Sequence, residues 1–347
     1  MADAGGDRLA LLLPLSGPLA AAGDAVARGA FAAYYADRNP GLTLDVMDSR
    51  RLDPAQALAA AREQGTAVVI GPLAKLQVAE MLATPAPDQA VLTLNRPEPP
   101  ATAAAVLQLA LAPEDEARQL ADLAFSDGGR RALLLRPEGV WGDRMEEALR
   151  TRWESLGAAI ASTARFGAAS AYSDVLRAAL SLDDSAERSR DVRRLFGATE
   201  TSGRRREDLD TIFLLTRDSE DARALNPLIA YHYAGDLPTY ALSTADSGNT
   251  DRNRDRDLEG LRLLAMPWRL GTRAVPGLEG ADASGSYDAL HALGVDAYRI
   301  ARNWRQLRSP AMLRVDGLTA AMTADGDGVL RRRLRPAEFD RGALTAR

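Results

Sequence analysis

Few residues of this chain are of the types that do chemistry, and their spacing excludes most of it. There are two histidines, His232 and His291, and no cysteine. Neither histidine belongs to an H-E-x-x-H or other spaced ligand set, and no G-x-S-x-G, S-x-x-K or Walker loop occurs. Thiolate and disulfide chemistry are absent with the cysteines. Catalytic groups need partners that perturb them, so both histidines are assigned structural or surface roles. No catalytic residue, no metal and no cofactor is expected, and the chain reads as a non-enzyme. Two acidic stretches imitate calcium loops. Asp251-Arg252-Asn253-Arg254-Asp255 alternates oxygen ligands, but Arg256 stands where such a loop needs glycine and Arg262 where it needs a bidentate glutamate. The second, Asp325 to Gly328, is short and flanked by Met322-Thr323 and Val329-Leu330, which makes it a hairpin turn.

What remains is binding chemistry. Ser16, Gly17, Gly71, Thr93 and Asn95 fall at the ends of predicted strands in the first part of the chain, with Lys75 at the rim of the same end. Trp141, Thr216, Ser243 and Thr244 fall at similar places in the second. If the two parts face each other, these residues line a cleft for a ligand. The plainer reading is that Ser16 and Asn95 cap turns and Trp141 packs at a helix start, because turns favour those residue types by themselves. A third candidate is the charged interruption between Asp183 and Asp210, with Arg204, Arg205 and Arg206 as a partner surface. Its acids Glu187, Asp191, Glu207 and Asp208 offset much of the charge, as on a solvated face. It is nonetheless longer than the about 2 to 6 residues of an ordinary βα connection, and long loops in compact domains often carry function.

The elements that must position these residues alternate. An apolar run from Leu9 to Leu13 ends in Pro14-Leu15-Ser16-Gly17 and leads into a helix from Gly23 to Arg38. Such a turn presents unpaired backbone N–H groups at a helix N-terminus. The unit recurs: a strand from Leu42 to Met47 ends at Asp48, and a helix follows with Asp53 as N-cap and Pro54 at its first position. Ala67 to Ile70 ends at Gly71-Pro72, a helix runs to Met81, and Ala90 to Leu94 and Val106 to Leu111 are further strands. A helix beginning at Pro113 opens a second set: strands at Ala132 to Leu135, Ile160 to Phe166, Thr211 to Leu215 and Thr239 to Leu242, with helices at Trp141 to Leu156, Tyr172 to Leu182 and Ser219 to Tyr233. A short helix is expected from Ser189 to Phe196, a strand from Gly260 to Leu264, a long helix from Tyr287 to Leu307, and tail strands from Val315 to Leu334.

Strands alternating with helices predict an α/β fold of two lobes, each a mainly parallel sheet flanked by helices. Lobe 1 is expected over 8–112 and 262–314 and lobe 2 over 113–261 and 315–340, with three crossovers and flexible termini at 1–7 and 341–347. The length of 347 residues, beyond the size at which one core usually keeps growing, supports two lobes. A net charge of -5 argues against nucleic acid as a partner. Lys75 is the one lysine among 43 basic residues, a bias toward arginine rather than a phosphate-binding signature. No window approaches the roughly 18 apolar residues of a membrane span. The polar, Gly-rich start reads as a trimmed boundary, before which a native signal or lipid anchor is expected.

Pro14-Leu15-Ser16-Gly17 with Gly23 and Gly29, then Asp48, then Val69-Ile70-Gly71-Pro72, resemble the type I periplasmic binding proteins of the branched-chain amino-acid receptor group. Longer strings are similar to the LppC/LpoA family: Leu94 to Glu98, Leu111 to Ala117, Arg204 to Phe213, Tyr233 to Ala241, Asp255 to Gly260 with Met266-Pro267-Trp268, and Ala292 to Tyr298 onward to Phe339. The resemblance spans nearly the whole chain. It implies a periplasmic-binding-protein fold and an outer-membrane lipoprotein that activates a class A penicillin-binding protein. That protein, a bifunctional peptidoglycan synthase, would be the partner, met in the periplasm at the inner face of the outer membrane. The family's lipidated N-terminal cysteine is absent here, so membrane contact is expected only through an anchor this sequence lacks; larger members also carry a helical-repeat domain. The alternative implied is a periplasmic solute-binding receptor of the branched-chain amino-acid type. Lys75 and Trp141 stand near where such receptors carry smaller or hydroxylated residues, so amino-acid capture is not expected.

Overall fold

The structure, a computed structural model, describes residues 8–39, 41–84, 89–97, 101, 103, 105–184, 187, 194, 204–249, 251–271, 287–304, 314–324 and 327–347. It begins with β1 (Arg8–Leu13), in which Leu9 to Leu13 are all buried, as befits a parallel strand covered on both faces. There follow α1 (Ala20–Asp37), β2 (Thr43–Asp48), α2 (Pro54–Glu63), β3 (Thr66–Ile70), α3 (Lys75–Ala83), β4 (Ala90–Thr93) and β5 (Val106–Gln108). The predicted start of α2 is a full capping box. The Asp53 carboxylate accepts from Gln56 N at 2.8 Å and the Gln56 side chain accepts from Asp53 N at 3.1 Å, with Pro54 inside the first turn. The five strands pair in parallel in the order β2-β1-β3-β4-β5. Leu12, Met47, Leu58, Val69, Met81 and Val91 pack between this sheet and its helices. The strand order reverses at β1 and β3, and a sheet of this kind offers its binding crevice beyond the carboxyl ends at that point.

The chain then builds a second unit through α4 (Pro113–Ser126), β6 (Arg131–Pro137), α5 (Val140–Ser155), β7 (Ala159–Phe166), α6 (Tyr172–Ala179), β8 (Thr211–Leu214), α7 (Ser219–Ile229), β9 (Thr239–Ala241) and β10 (Arg262–Ala265). Its parallel strands run β7-β6-β8-β9-β10, the same winding counted within the unit, with the reversal at β6 and β8. Trp153 of α5 is fully buried with Phe125 and Phe213 edge-on at 6.2 and 5.0 Å. Such pairs add to the area they bury.

Beyond β10 the first unit is completed by α8 (Asp288–Arg302) and by β11 (Arg314–Asp316), β12 (Ala321–Ala324) and β13 (Leu330–Arg333), an antiparallel three-stranded sheet. Helices α1 and α8 touch backbone to backbone. A Cβ on Gly29 would stand 2.0 Å from the His291 carbonyl oxygen, and one on Gly294 2.0 Å from that of Val26. Asp296, fully buried on α8, accepts from Leu318 N at 2.7 Å, Thr319 N at 2.8 Å and Thr319 Oγ1 at 2.7 Å, fastening the β11–β12 turn to the helix. The last strands, β14 (Arg335–Asp340) and β15 (Ala343–Ala346), extend the second unit's sheet antiparallel from β10.

Two compact units result, 1–112 with 266–334 and 113–265 with 335–347. This corrects the expected partition in two places. Residues 262–265 form β10, paired to β9 and β14, and so belong to the second unit. Residues 315–334 belong to the first, because the strands there pair with one another and Gln108 N of β5 donates to Gly328 O at 2.9 Å. The tail 341–347 is also not loose: it carries β15, and the Arg347 guanidinium bonds Asp127. The expected helix from Ser189 to Phe196, the segment 1–7 and the Asp325-Gly326 part of the hairpin lie outside the described residues.

Candidate functional site

At the carboxyl end of the first unit's sheet, α1 starts hard against the end of β1: a Cβ on Gly23 would lie 2.2 Å from Pro14 O. Ser16 and Gly17 are exposed in the intervening turn. The donor beside them is already taken, since Leu15 N donates to Asp48 Oδ1 at 3.2 Å, an oxygen that also accepts from Arg50 N at 2.9 Å. The Arg50 amide bond above all, with the Leu15 amide and the Arg51 and Arg50 charges, outweighs the opposing cost of burial and holds the Asp48 carboxyl below its ordinary range. Thr93 Oγ1 donates to Asn95 O at 2.8 Å, while Asn95 Nδ2 donates to Leu73 O at 3.1 Å and its Oδ1 accepts from Arg96 N at 3.0 Å. These two side chains therefore knit the ends of β3 and β4 together. Lys75 is exposed at the first position of α3.

The second unit repeats the close helix start. A Cβ on Gly142 would lie 2.0 Å from Pro137 O, as Gly23 does against Pro14. Here the entry is pinned by Arg136, 1% exposed, whose Nε donates to Glu146 Oε2 at 2.7 Å, Nη2 to Asp143 Oδ1 at 2.6 Å and Nη1 to Pro137 O at 3.0 Å. Trp141 is half-buried in the first turn of α5. Thr216, buried just past β8, accepts through its carbonyl oxygen from Thr244 Oγ1 at 2.5 Å. Ser243 is claimed from within the unit: its N–H and its Oγ both donate to the Glu116 carboxylate of α4, the latter at 2.9 Å. Ser243 and Thr244 are thus brought beside Thr216, and Thr93 beside Asn95, but each set is engaged with its own backbone or with a resident acid.

The arginine triplet is not the uniformly exposed surface that composition suggested. Arg205 is 15% exposed and reaches inward, its Nε donating to Tyr233 O at 3.0 Å and its Nη2 to Asp236 Oδ2 at 2.6 Å. Arg206 clasps Asp208 with two bonds of 2.7 Å. Arg204 alone of the three stays well exposed, at 78%, with Glu207 at 3.6 Å. A planar five-donor guanidinium flanked by carboxylates closes such forks whenever the turn allows, a geometry that charge counting cannot see.

His232 is buried, with Nε2 2.9 Å from Ser173 Oγ, and burial together with the Arg177 charge pushes its pKa down. Burial likewise lowers His291, which lies beside Trp268. The calcium-like stretch is used by an arginine: Asp255 accepts from the buried Arg223 at 2.7 Å, and Asp251 caps the turn through Asn253 N at 3.0 Å. Among the described residues no group of three or more His, Asp or Glu could hold a metal ion, and no helix is long and apolar enough to cross a membrane. Sequence reasoning missed the part played by Glu116, an acid in the first turn of α4. It also missed Tyr231 and Tyr233, 74% and 69% exposed just past α7, where the predicted helix to Tyr233 gives way to a turn.

Two α/β units of one winding, each assembled from separate stretches of a single chain, define the periplasmic-binding-protein class of fold. The chain belongs to the LppC family, described as "LppC putative lipoprotein", which it matches over residues 5–342. A penicillin-binding protein activator, LpoA of Photobacterium profundum, is 29% identical over 349 residues, covering 98% of this chain and 57% of that protein. The chain spans about half the length of the curated relatives it matches. Among solved structures, the C-domain of LpoA (YraM) from Haemophilus influenzae, a regulator of PBP1A, superposes with a TM-score of 0.77 at 21% identity, covering 98% of this chain and all (100%) of that one. A "putative branched-chain amino acid ABC transporter" from Chromobacterium violaceum gives 0.72 at 25% identity, covering 96% and 100%.

Proposed function

We propose that this chain is a non-enzymatic activator of peptidoglycan synthesis that binds a class A penicillin-binding protein and stimulates its transpeptidase. The observation that carries the reading is membership of the LppC family over almost the entire chain, with relatives that are named penicillin-binding protein activators. Stimulation requires that the chain bind the active conformation of the synthase more tightly than the inactive one. The setting we propose is the periplasm, at the inner face of the outer membrane, where a lipoprotein of this family would be anchored.

The runner-up, a solute receptor of the branched-chain amino-acid type, draws on the fold shared with the Chromobacterium violaceum protein. The donors at the strand ends weigh against it. A free amino acid would have to displace Asp48 from Leu15 N in one unit, or Glu116 from Ser243 N and Oγ in the other. Each resident carboxylate is tethered, and an untethered one must replace it at an entropic disadvantage.

The test is reconstitution. The purified chain added to the class A synthase of its own organism is expected to raise the rate of peptide cross-linking and to form no cross-links alone. Unchanged cross-linking by an active synthase would refute the proposal. Calorimetry against branched-chain and polar amino acids is expected to show nothing tighter than about 1 μM, roughly -8 kcal/mol; a sub-micromolar titration would establish the receptor instead.

A further inference from the structure

Among the described residues, the most exposed aromatic side chains of the second unit, Tyr231 and Tyr233, are mounted on a turn with a left-handed residue. After α7 the backbone unwinds through Ala230–Ala234, and Tyr233 takes φ 62, ψ 24. That left-handed conformation is one that glycine, asparagine and aspartate enter readily and a bulky aromatic does not. Surrounding bonds hold it there. Arg205 donates to the Tyr233 carbonyl oxygen at 3.0 Å and to Asp236 at 2.6 Å, Leu237 N donates to Ala234 O at 3.1 Å, and His232 beneath is buried against Ser173. The Tyr231 ring stands edge-on to the His232 ring, centroids 5.1 Å apart, yet both tyrosines remain mostly exposed, at 74% and 69%. Strain of this kind persists where the surrounding structure over-determines it, and it clusters at binding and switch sites.

We infer that Tyr231 and Tyr233, with Arg204, whose chain neighbour Arg205 bonds the Tyr233 carbonyl oxygen, form the contact surface for the synthase, at the amino end of the second unit's sheet where the chain enters β8 and β9. The inference rests on the activator reading above and adds the surface to it. Rigid tyrosines flanked by arginine are the side chains that dominate protein–protein hot spots, because they bury large area at little entropic loss. The local charge argues for a protein rather than a membrane. Each arginine has an acid within reach, Arg204 with Glu207 at 3.6 Å and Arg205 with Asp236 at 2.6 Å, so the patch is balanced where an anionic lipid surface would need an excess of cations. The surface it fits is a protein face with an apolar socket for the rings and a carboxylate at its rim able to compete for Arg204. The exposed Arg204–Glu207 pair contributes little by itself and is exchangeable.

The experiment measures binding of the purified chain to its class A synthase by surface plasmon resonance, with thermal midpoints for every variant. Tyr231→Ala/Tyr233→Ala is expected to weaken binding by about 30-fold or more, the loss from one hot-spot residue of about 2 kcal/mol. Tyr35→Ala, which removes an equally exposed tyrosine on α1 of the other unit, is expected to stay within about two-fold. Tyr233→Gly separates contact from folding. Relief of the left-handed backbone should hold or raise the thermal midpoint while binding falls; a lowered midpoint with unchanged affinity would make the residue structural and overturn the inference. Wild-type affinity in the double variant would overturn the surface and leave the activator reading standing, whereas failure of the wild-type chain to bind the synthase would remove both. Capture of the wild-type chain, but not the double variant, by phosphatidylglycerol vesicles in place of the synthase would assign the patch to lipid and overturn the inference as well.

Discussion

Replacing Glu116 by alanine tests whether the strand-end donors of the second unit are closed to outside ligands. In the intact protein the Glu116 carboxylate accepts both Ser243 N–H and Ser243 Oγ–H, and its own helix α4 lies against the sheet through the buried Ala117, Leu120 and Ala121. Truncation deletes two charge-assisted bonds, each worth about 1.5 to 3 kcal/mol at most, and leaves a half-buried amide that water can reach. The net cost is expected at about 1.5 to 3 kcal/mol, since water recovers part of the second bond. For units of this size, at about 2 to 4 °C per kcal/mol, the thermal midpoint should fall by roughly 3 to 12 °C. The vacated donors should then accept a carboxylate from solution. Acetate at about 0.1 M is expected to recover part of the loss in Glu116→Ala, relative to chloride at equal ionic strength, and to leave the wild-type midpoint unmoved. A variant as stable as wild type, or one that acetate does not distinguish from wild type, would refute the idea that Glu116 occupies a ligand position.

Two further predictions concern what holds the units in shape. Asp296→Asn should destabilise the first unit by about 2 to 4 kcal/mol, read as a lower denaturation midpoint in urea at unchanged slope, because the amide NH2 must face a donor among Leu318 N, Thr319 N and Thr319 Oγ1. In the second unit, burial opposes ionisation of Asp127, but bonds from Arg347 and Tyr240 outweigh it and hold its pKa below 3.8. Its ionisation therefore contributes stability that is complete above the unfolded pKa and is lost as pH falls through the lower folded one. Thermal midpoints followed from pH 6 down to pH 3 should decline less steeply in Asp127→Asn than in wild type; parallel curves would show that the cluster carries no acid sensitivity.

The alternation of strand and helix was legible in the sequence because buried parallel strands read as apolar runs, Leu9 to Leu13 most plainly, and because Asp53-Pro54 and Gly71-Pro72 punctuate it. The partition at 315–334 was not. A hairpin ladder of Val315, Met322 and Leu330 alternates polar and apolar residues whichever unit it joins, and tertiary bonds decide the matter, from Gln108 N to Gly328 O and from Leu318 and Thr319 to Asp296. The candidate site was legible as a set of strand-end positions but not as a state. Ser243 looks the same in sequence whether it awaits a ligand or has been claimed by Glu116, 127 residues earlier in the chain. The triplet Arg204-Arg205-Arg206 misled for a related reason: composition gives the charges, while the turn that lets Arg205 reach Tyr233 O and Asp236 is a tertiary event. Tyr233 escaped notice because helical periodicity runs on through it, and nothing in the residue type announces a positive φ.

In sheets wound as these are, function ordinarily gathers beyond the carboxyl ends of the strands, where helix N-termini converge and side chains need not support the core. Here that end has turned inward in each unit. Asp48 holds Leu15 N, Asn95 bridges to Leu73, Glu116 takes Ser243, and Thr244 closes on Thr216. Such bonds stiffen the loops that a solute receptor would need to adapt around its ligand. A protein that acts by favouring one conformation of a partner has the opposite need. It must not spend its interaction energy on rearranging itself, because only the difference in affinity between the partner's two states is available for activation. The same logic explains why the exposed tyrosines stand on a turn fixed by Arg205, His232 and Ser173 rather than on a loose loop: a preorganised contact loses little conformational entropy on docking. An arginine that appeared from composition to be the contact itself is then the brace behind it. Arg205→Ala should accordingly weaken synthase binding without removing any side chain from the contact, and Arg205→Lys should fail to restore it, since one ammonium cannot span the Tyr233 carbonyl and the Asp236 carboxylate as the guanidinium fork does.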